Sequence, residues 1–265
     1  MRRVFDGGRN IDWSATSDDY ATFRPGPPDE LYERLKACGI GKRGERILDL
    51  GTGTGLVARA WARRGCRVAG IDIATEQIAT ARKHAAAEGL DVDFRVAPAE
   101  EPPFAEHSFE TATANQCFLY FDRERTLAAL RRALVPGGAL VISHFSWLPK
   151  LDAVADASEK LILKYNPAWE GAGSDGEVVP VPPWLPPDIA QEHLLRFDAE
   201  IPFTRESWRG RIRASRGIGA SMTPSEVEAF DREHAALLER IAPERFTVRH
   251  GIDARVLRFS RGGRP

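Results

Sequence analysis

The chain has 265 residues, 37 Lys and Arg against 38 Asp and Glu, and a net charge of −1. That length suits one α/β domain with insertions and is ample for a buried core. The charge balance points neither to nucleic acid nor to an anionic membrane surface, no apolar run approaches the ~20 residues that span a bilayer, and Met1 to Gly8 is not an apolar signal segment. Cys38, Cys66 and Cys117 are scattered without C-x-x-C spacing. They read as reduced thiols of a cytoplasmic protein and supply no ligand cluster for a metal.

Residues 1–28 read as an irregular or partly helical leader carrying Phe5, Trp13, Tyr20 and Phe23. A short helix is expected over 29–38, ended by Gly39-Ile40-Gly41. The apolar run over 47–50 has the pattern of a buried strand. It leads into Gly51-Thr52-Gly53-Thr54-Gly55, with a glycine at every second position. Without Cβ atoms the backbone there can turn tightly and meet a ligand closely. A helix from Leu56 to about Arg64, with Gly65 as its C-cap, presents free N–H groups at its start to an anionic group. A dinucleotide turn reads G-x-G-x-x-G, whereas here Leu56 follows G-x-G-x-G. Asp49 stands two residues before the first glycine. A carboxylate at that strand tip repels a pyrophosphate and attracts an ammonium or a sulfonium.

A second strand is expected over 66–73, with Asp72 at its tip. A carboxylate placed there accepts hydrogen bonds from the two ribose hydroxyls of an adenosine ligand, NAD included. Ile73 beside it would cover one face of adenine. A helix over 75–88, strands over 91–96 and 109–114, a helix over 122–134, a turn at Val135-Pro136-Gly137-Gly138 and a strand over 139–144 complete the alternation. Strands separated by helices of this length make βαβ units. The expected fold is a Rossmann-like, doubly wound, mostly parallel seven-stranded α/β sheet with helices on both faces. Ligands in such sheets meet the carboxyl ends of the strands. Asn115 and Gln116 emerge at the fourth tip and His144 at the fifth. His144 is either a general base or a histidine hydrogen-bonded at a strand end.

Beyond that strand a helix is expected over 151–165, then a Pro-, Gly- and Trp-rich loop or lid over 166–187, since long loops in compact domains are often functional. A strand over 194–204, helices over 206–217 and 224–241, and strands over 246–250 and 254–260 follow. Arg209, Arg213 and Arg216 share one helical face, either to receive a carboxylate or phosphate of a substrate or as a solvated stripe. We expect a single domain over 1–265: a leader over 1–44, a cofactor-binding core over 45–145, and a lid insertion with the last strands over 146–265. Trp13, Tyr20, Trp147, Trp208 and Arg209 are the candidates for an acceptor pocket built by the leader and the lid.

The D-x-G-x-G-x-G run at 49–55 resembles the first motif of the class I S-adenosylmethionine (SAM)-dependent methyltransferases, of the small-molecule, type 11-like kind. Ala99, Glu100, Pro103 and Phe104 resemble the family's loop after the third strand, often G-D-A-E-x-L-P-F. The chain departs from it at Pro98, where the family often has an acid that meets the adenine amino group. Backbone groups of Ala99 and Glu100 are left to supply that contact. The segment Leu134-Val135-Pro136-Gly137-Gly138-Ala139-Leu140 looks like the family's L-x-P-G-G-x-L turn, and Tyr20 to Pro25 resembles its Y-x-x-x-R-P leader. The resemblance covers roughly residues 18–145. It implies a SAM site made by Tyr20, Arg24, Asp49, Gly51, Thr52, Gly53, Gly55, Asp72, Ile73, Ala99, Glu100, Asn115 and Gln116. Tyr20 would lie over the sulfonium and Arg24 would bind a carboxylate. It also implies in-line methyl transfer to a small-molecule acceptor through O, N or C, with His144 as base where the acceptor must lose a proton. The alternatives are an NAD-type oxidoreductase and a non-catalytic SAM-binding protein. The expected assembly is a monomer or homodimer.

Overall fold

The computed structural model describes residues 6–9, 11–12, 16, 19 and 22–261. Their seven strands are β1 Arg46–Leu50, β2 Arg67–Asp72, β3 Val92–Val96, β4 Phe109–Asn115, β5 Leu134–Trp147, β6 Ile189–Thr204 and β7 Arg245–Phe259. They form one sheet in the order β3-β2-β1-β4-β5-β7-β6. The pairs among β1 to β5 are parallel, and β7 runs antiparallel between β5 and β6. Helices α1 Asp29–Ala37, α2 Leu56–Arg63, α3 Thr75–Ala87, α4 Arg123–Ala133, α5 Ala153–Tyr165, α6 Arg205–Arg213 and α7 Pro224–Ile241 connect or cap the strands. The expected Rossmann-like architecture is therefore present.

Alternation along the strands splits the core in two. Ile47, Val141, Phe145 and Ile252 face one way, toward α2, α5, α6 and α7. Leu48, Leu140, Ile142 and Leu257 face the other, toward α4 and Trp184 of the loop before β6. Because β6 runs with β1 to β5, its end at Thr204 lies at their carboxyl edge. The chain between β6 and β7 is α6 and α7, so these helices stand at the ligand edge of the sheet. Both start at a capping box, Thr204 with Ser207 and Thr223 with Glu226, and Pro224 opens α7.

Three boundaries differ from the sequence reading. The strands expected over 246–250 and 254–260 are one strand, because Gly251 and Asp253 stay in register with Ser146 and His144 of β5. Those two residues are poor strand formers alone, and pairing on both sides overrides that preference. β6 begins at Ile189 and not at 194, because its first residues pair with Phe259 to Val256 of β7. The Pro-Gly-Gly turn lies inside β5: Phe109 pairs with Leu134 but Thr111 pairs with Ala139, so this segment bulges from the ladder, with Gly137 at φ 79°.

Candidate functional site

The glycines after β1 are required by their backbone. Gly51, Gly53 and Gly55 have φ of 57°, 55° and 77°, the left-handed region that side chains disfavour. A Cβ on Gly51 would sit 2.9 Å from Cys117 Sγ, and one on Gly55 would sit 2.8 Å from the Phe94 ring. Two hydrogen bonds tie the turn to β2. Thr52 N donates to Ile71 O at 2.9 Å, and Gly53 N donates to Asp72 Oδ2 at 2.9 Å. Asp72 Oδ1 accepts from Ala74 N at 2.9 Å. The acid at the tip of β2 thereby sets the position of the glycine turn as well as facing its ligand edge.

Asp49 is 2% exposed. Thr52 Oγ1 donates to its Oδ2 and Thr113 Oγ1 to its Oδ1, each at 2.6 Å. Burial pushes this carboxyl up to about 6, against the two hydroxyl hydrogen bonds, and the nearby Asp72 charge pushes the same way. Thr113 reaches it because the two are paired across β1 and β4.

Over this floor lies a cleft of about 330 Å³, part of it open to solvent. Arg24, Pro25 and Pro27 of the leader form one wall, Leu56 and Val57 of α2 another, and Asn115 closes the end at β4. Along the sheet edge, Asp72 is paired with Val96. Ile73 is 71% exposed and Val96 48% exposed, while Ala97 and Ala99 are buried beside them. Two open apolar side chains flanking a carboxylate suit an adenosine, with a planar ring to cover and hydroxyls to bind. Among the described residues no three His, Cys, Asp or Glu side chains are grouped to hold a metal.

Several candidates lie elsewhere. The Glu100 carboxylate accepts the Asp122 backbone N–H at 2.7 Å, at the start of α4. One oxygen of its side chain is thereby engaged at the start of α4. Gln116 has φ 65° and grips β5, its N donating to Ser143 O at 2.9 Å and its Nε2 to Phe145 O. Asn115 Oδ1 accepts from Ser143 Oγ at 3.0 Å. Trp147 and Trp208 are 7% and 0% exposed, packed edge to face at 5.6 Å. Their indole N–H groups donate to Glu159 Oε1 at 2.6 Å and to Ser158 Oγ at 2.9 Å. They are the interior of the helical cap and not an open pocket wall, because their polar ends and ring faces are already taken. Arg209 donates to Asp231 at 3.1 Å, and Arg213 bridges Asp231 at 2.7 Å and Asp19 at 2.8 Å. That arginine stripe joins α6 to α7 and to the leader through ion pairs, so it is not a free solvated face. Trp13 and Tyr20 lie outside the described residues. His144 Nδ1 is 3.0 Å from Asp253 Oδ1. Thr113 and Asp253 were missed by sequence reasoning. Only the strand register could have found them.

Residues 48–142 match the sequence model of a family described as a methyltransferase domain. The chain is 33% identical over 175 residues to a ubiquinone biosynthesis O-methyltransferase of Xanthomonas euvesicatoria pv. vesicatoria, across 65% of this chain and 71% of that one. It is 43% identical over 126 residues to a demethylmenaquinone methyltransferase of Thermus thermophilus, across 46% of this chain and 57% of that one. It spans about half the length of most curated relatives it matches. In three dimensions it is similar to a proposed type II methyltransferase of Anaeromyxobacter dehalogenans, with a TM-score of 0.61 and 25% identity over 91% of this chain and 98% of that one. On these likenesses the chain belongs to the class I SAM-dependent methyltransferases.

Proposed function

We propose that this protein transfers a methyl group from SAM to a small-molecule acceptor. The observation that carries this reading is the cradle: three left-handed glycines tied to Asp72, with Ile73 and Val96 open beside it. SAM supplies an already activated methyl group. Asp72 is suited to hold the ribose and Ile73 with Val96 to cover the adenine. Arg24 is suited to the carboxylate of the methionine part, and the buried Asp49 charge favours its cationic end without direct exposure. The leader wall and Asn115 would fix the direction of transfer, and alignment of this kind supplies several kcal/mol of the barrier reduction.

The NAD-type alternative fits less well, since Asp49 lies under the turn where a pyrophosphate would sit. The names of the Xanthomonas and Thermus relatives, from ubiquinone and menaquinone chemistry, support a ring-shaped acceptor. We place the protein in the cytoplasm. Cys38, Cys66 and Cys117 are all free thiols, and no helix among the described residues is long and apolar enough to cross a membrane. The test is transfer from methyl-labelled SAM to a metabolite extract. A labelled product is expected. Binding of SAM with no labelled product would favour a non-catalytic SAM-binding protein.

A further inference from the structure

The amino edge of the sheet, opposite the cofactor cleft, carries a cavity of its own. β1 starts at Arg46 and α2 ends at Arg63, so the chain entering β1 and the chain leaving α2 meet at that edge. Between them and α1 lies a space of about 700 Å³, part of it open to solvent. Tyr32, Glu33 and Lys36 of α1 line one side, Gly41 and Arg43 of the loop before β1 another, and Trp61 and Arg64 the third. Its volume is that of a small-molecule site.

The backbone fixes these walls. Ile40 N donates to Leu35 O at 3.0 Å, Gly44 N to Gly65 O at 2.8 Å and Arg67 N to Glu45 O at 2.9 Å. Gly41, at φ 80°, lies against the Trp61 ring, and a Cβ there would sit 2.1 Å from it. Gly65 has φ 85°, and a Cβ on it would meet the Arg43 side chain at 3.2 Å. The missing side chain thus gives Arg43 its bed next to Arg64. The Arg64 guanidinium lies over the Tyr32 ring at 4.1 Å. Its Nη2 is 2.6 Å from Asp29 Oδ1, and its Nη1 donates to Ala60 O at 3.0 Å.

The charges call for a ligand. Lys36 and Arg43 have no carboxylate partner among the described residues. The acid nearest in the loop, Glu45, is engaged by Lys42 N at 2.8 Å and by Thr111 Oγ1 at 2.6 Å. Three cations therefore line one cavity with a single acid, Glu33. Like charges gathered in this way repel, and an anion among them turns the repulsion into attraction. Trp61 is 1% exposed, and its indole N–H has no acceptor, although a buried donor is expected to have one. We propose that this cavity binds a small sugar phosphate, with the phosphate among Lys36, Arg43 and Arg64 and the sugar hydroxyls donating to Glu33. Arginine offers phosphate paired N–H donors, and lysine offers it a compact charge. The site stands apart from the cofactor cleft, at the far end of α2, and does not rest on the methyl-transfer reading.

The test uses ribose 5-phosphate as the probe and inorganic phosphate as the comparison. Calorimetry at low salt should show one site for ribose 5-phosphate, tighter than that for inorganic phosphate. In protein labelled with nitrogen-15 at its six tryptophans, the indole signal of Trp61 is assigned through its contact with the Tyr32 ring at 4.9 Å. That signal should move on addition of ribose 5-phosphate. Lys36 and Arg43 are exposed, so the double variant Lys36→Ala with Arg43→Ala should keep the fold. It should weaken ribose 5-phosphate about tenfold or more through the lost charged hydrogen bonds and leave S-adenosylhomocysteine affinity unchanged. No heat with ribose 5-phosphate, an unmoved Trp61 signal, or an affinity indifferent to the double variant would overturn the proposal. Equal affinity for inorganic phosphate would overturn the assignment to a sugar phosphate. Failure of the wild type to bind S-adenosylhomocysteine would defeat the methyltransferase reading and leave this site standing.

Discussion

At the scale of single residues, Asp49 and Asp72 divide the work of the cradle. Asp72 pins the turn through Gly53 N and Ala74 N and, in the proposed function, accepts the ribose hydroxyls, while Asp49 would act through its charge from beneath the turn. Asp49 titrates near 6 because burial disfavours its ionised form. As pH falls through that value it takes a proton and the attraction for a cationic ligand is lost. SAM affinity should therefore weaken below about pH 6, by up to about tenfold per pH unit, and Asp49→Asn should bind weakly with a flat profile. Calorimetric titrations at several pH values would measure this, and a wild-type affinity independent of pH would remove Asp49 from the account. These two acids were legible in the sequence because their meaning is local, an acid at the end of an apolar run with glycines at fixed spacing. Thr113 and Asp253 were not, since each acts on a residue far away in sequence and is brought there only by the strand register.

At the scale of elements, the turn after β1 and the helical cap behave differently. Gly53 sits at φ 55° with its N–H on Asp72. Gly53→Val should abolish SAM binding with circular dichroism nearly unchanged, because it forces a β-branched residue into the left-handed region at the proposed cofactor turn. A variant that still binds normally would show that the turn is not the cofactor site. For the cap the expectation runs the other way. Trp208 is fully buried and hydrogen-bonded to Ser158, so Trp208→Ala should cost about 3–5 kcal/mol of stability. Denaturant unfolding that shows a loss below about 1 kcal/mol would contradict its place in the core. Trp147 and Trp208 were read from sequence as pocket aromatics because an aromatic gives the same signal whether it packs or binds. The β6 and β7 boundaries were hidden for a related reason: Gly251 and Asp253 look like a break, and only a partner strand on each side holds them extended.

At the scale of the whole molecule, the cap and the sheet share the buried neutral histidines His234 and His250, held down to about 4 and about 3. Their folded values lie below the unfolded value of about 6.5, so the unfolded chain binds more protons once pH drops below that point. Stability from both is complete above about pH 6.5 and declines as pH falls toward 4. Asp49 works in the opposite sense, since its folded value is raised and it gains a proton on the folded side between about 6 and 4. Asp72 and Glu159, also raised by burial, act with Asp49, and the two histidines are the groups that should lower the unfolding midpoint as pH falls from 7 to 5. The double variant His234→Gln with His250→Gln, if it folds, should show a smaller pH dependence. A double variant with the same pH dependence as the wild type would contradict the assignment of both histidines as neutral.

The central claim is that the strand tips form a SAM cradle. The most direct test is calorimetric titration of the wild type and of Asp72→Ala with S-adenosylhomocysteine and with NAD. The wild type should bind S-adenosylhomocysteine and give no heat with NAD, and Asp72→Ala should weaken that binding by about 1–3 kcal/mol through the lost charged hydrogen bonds. Binding of NAD, or S-adenosylhomocysteine affinity unchanged by Asp72→Ala, would contradict it.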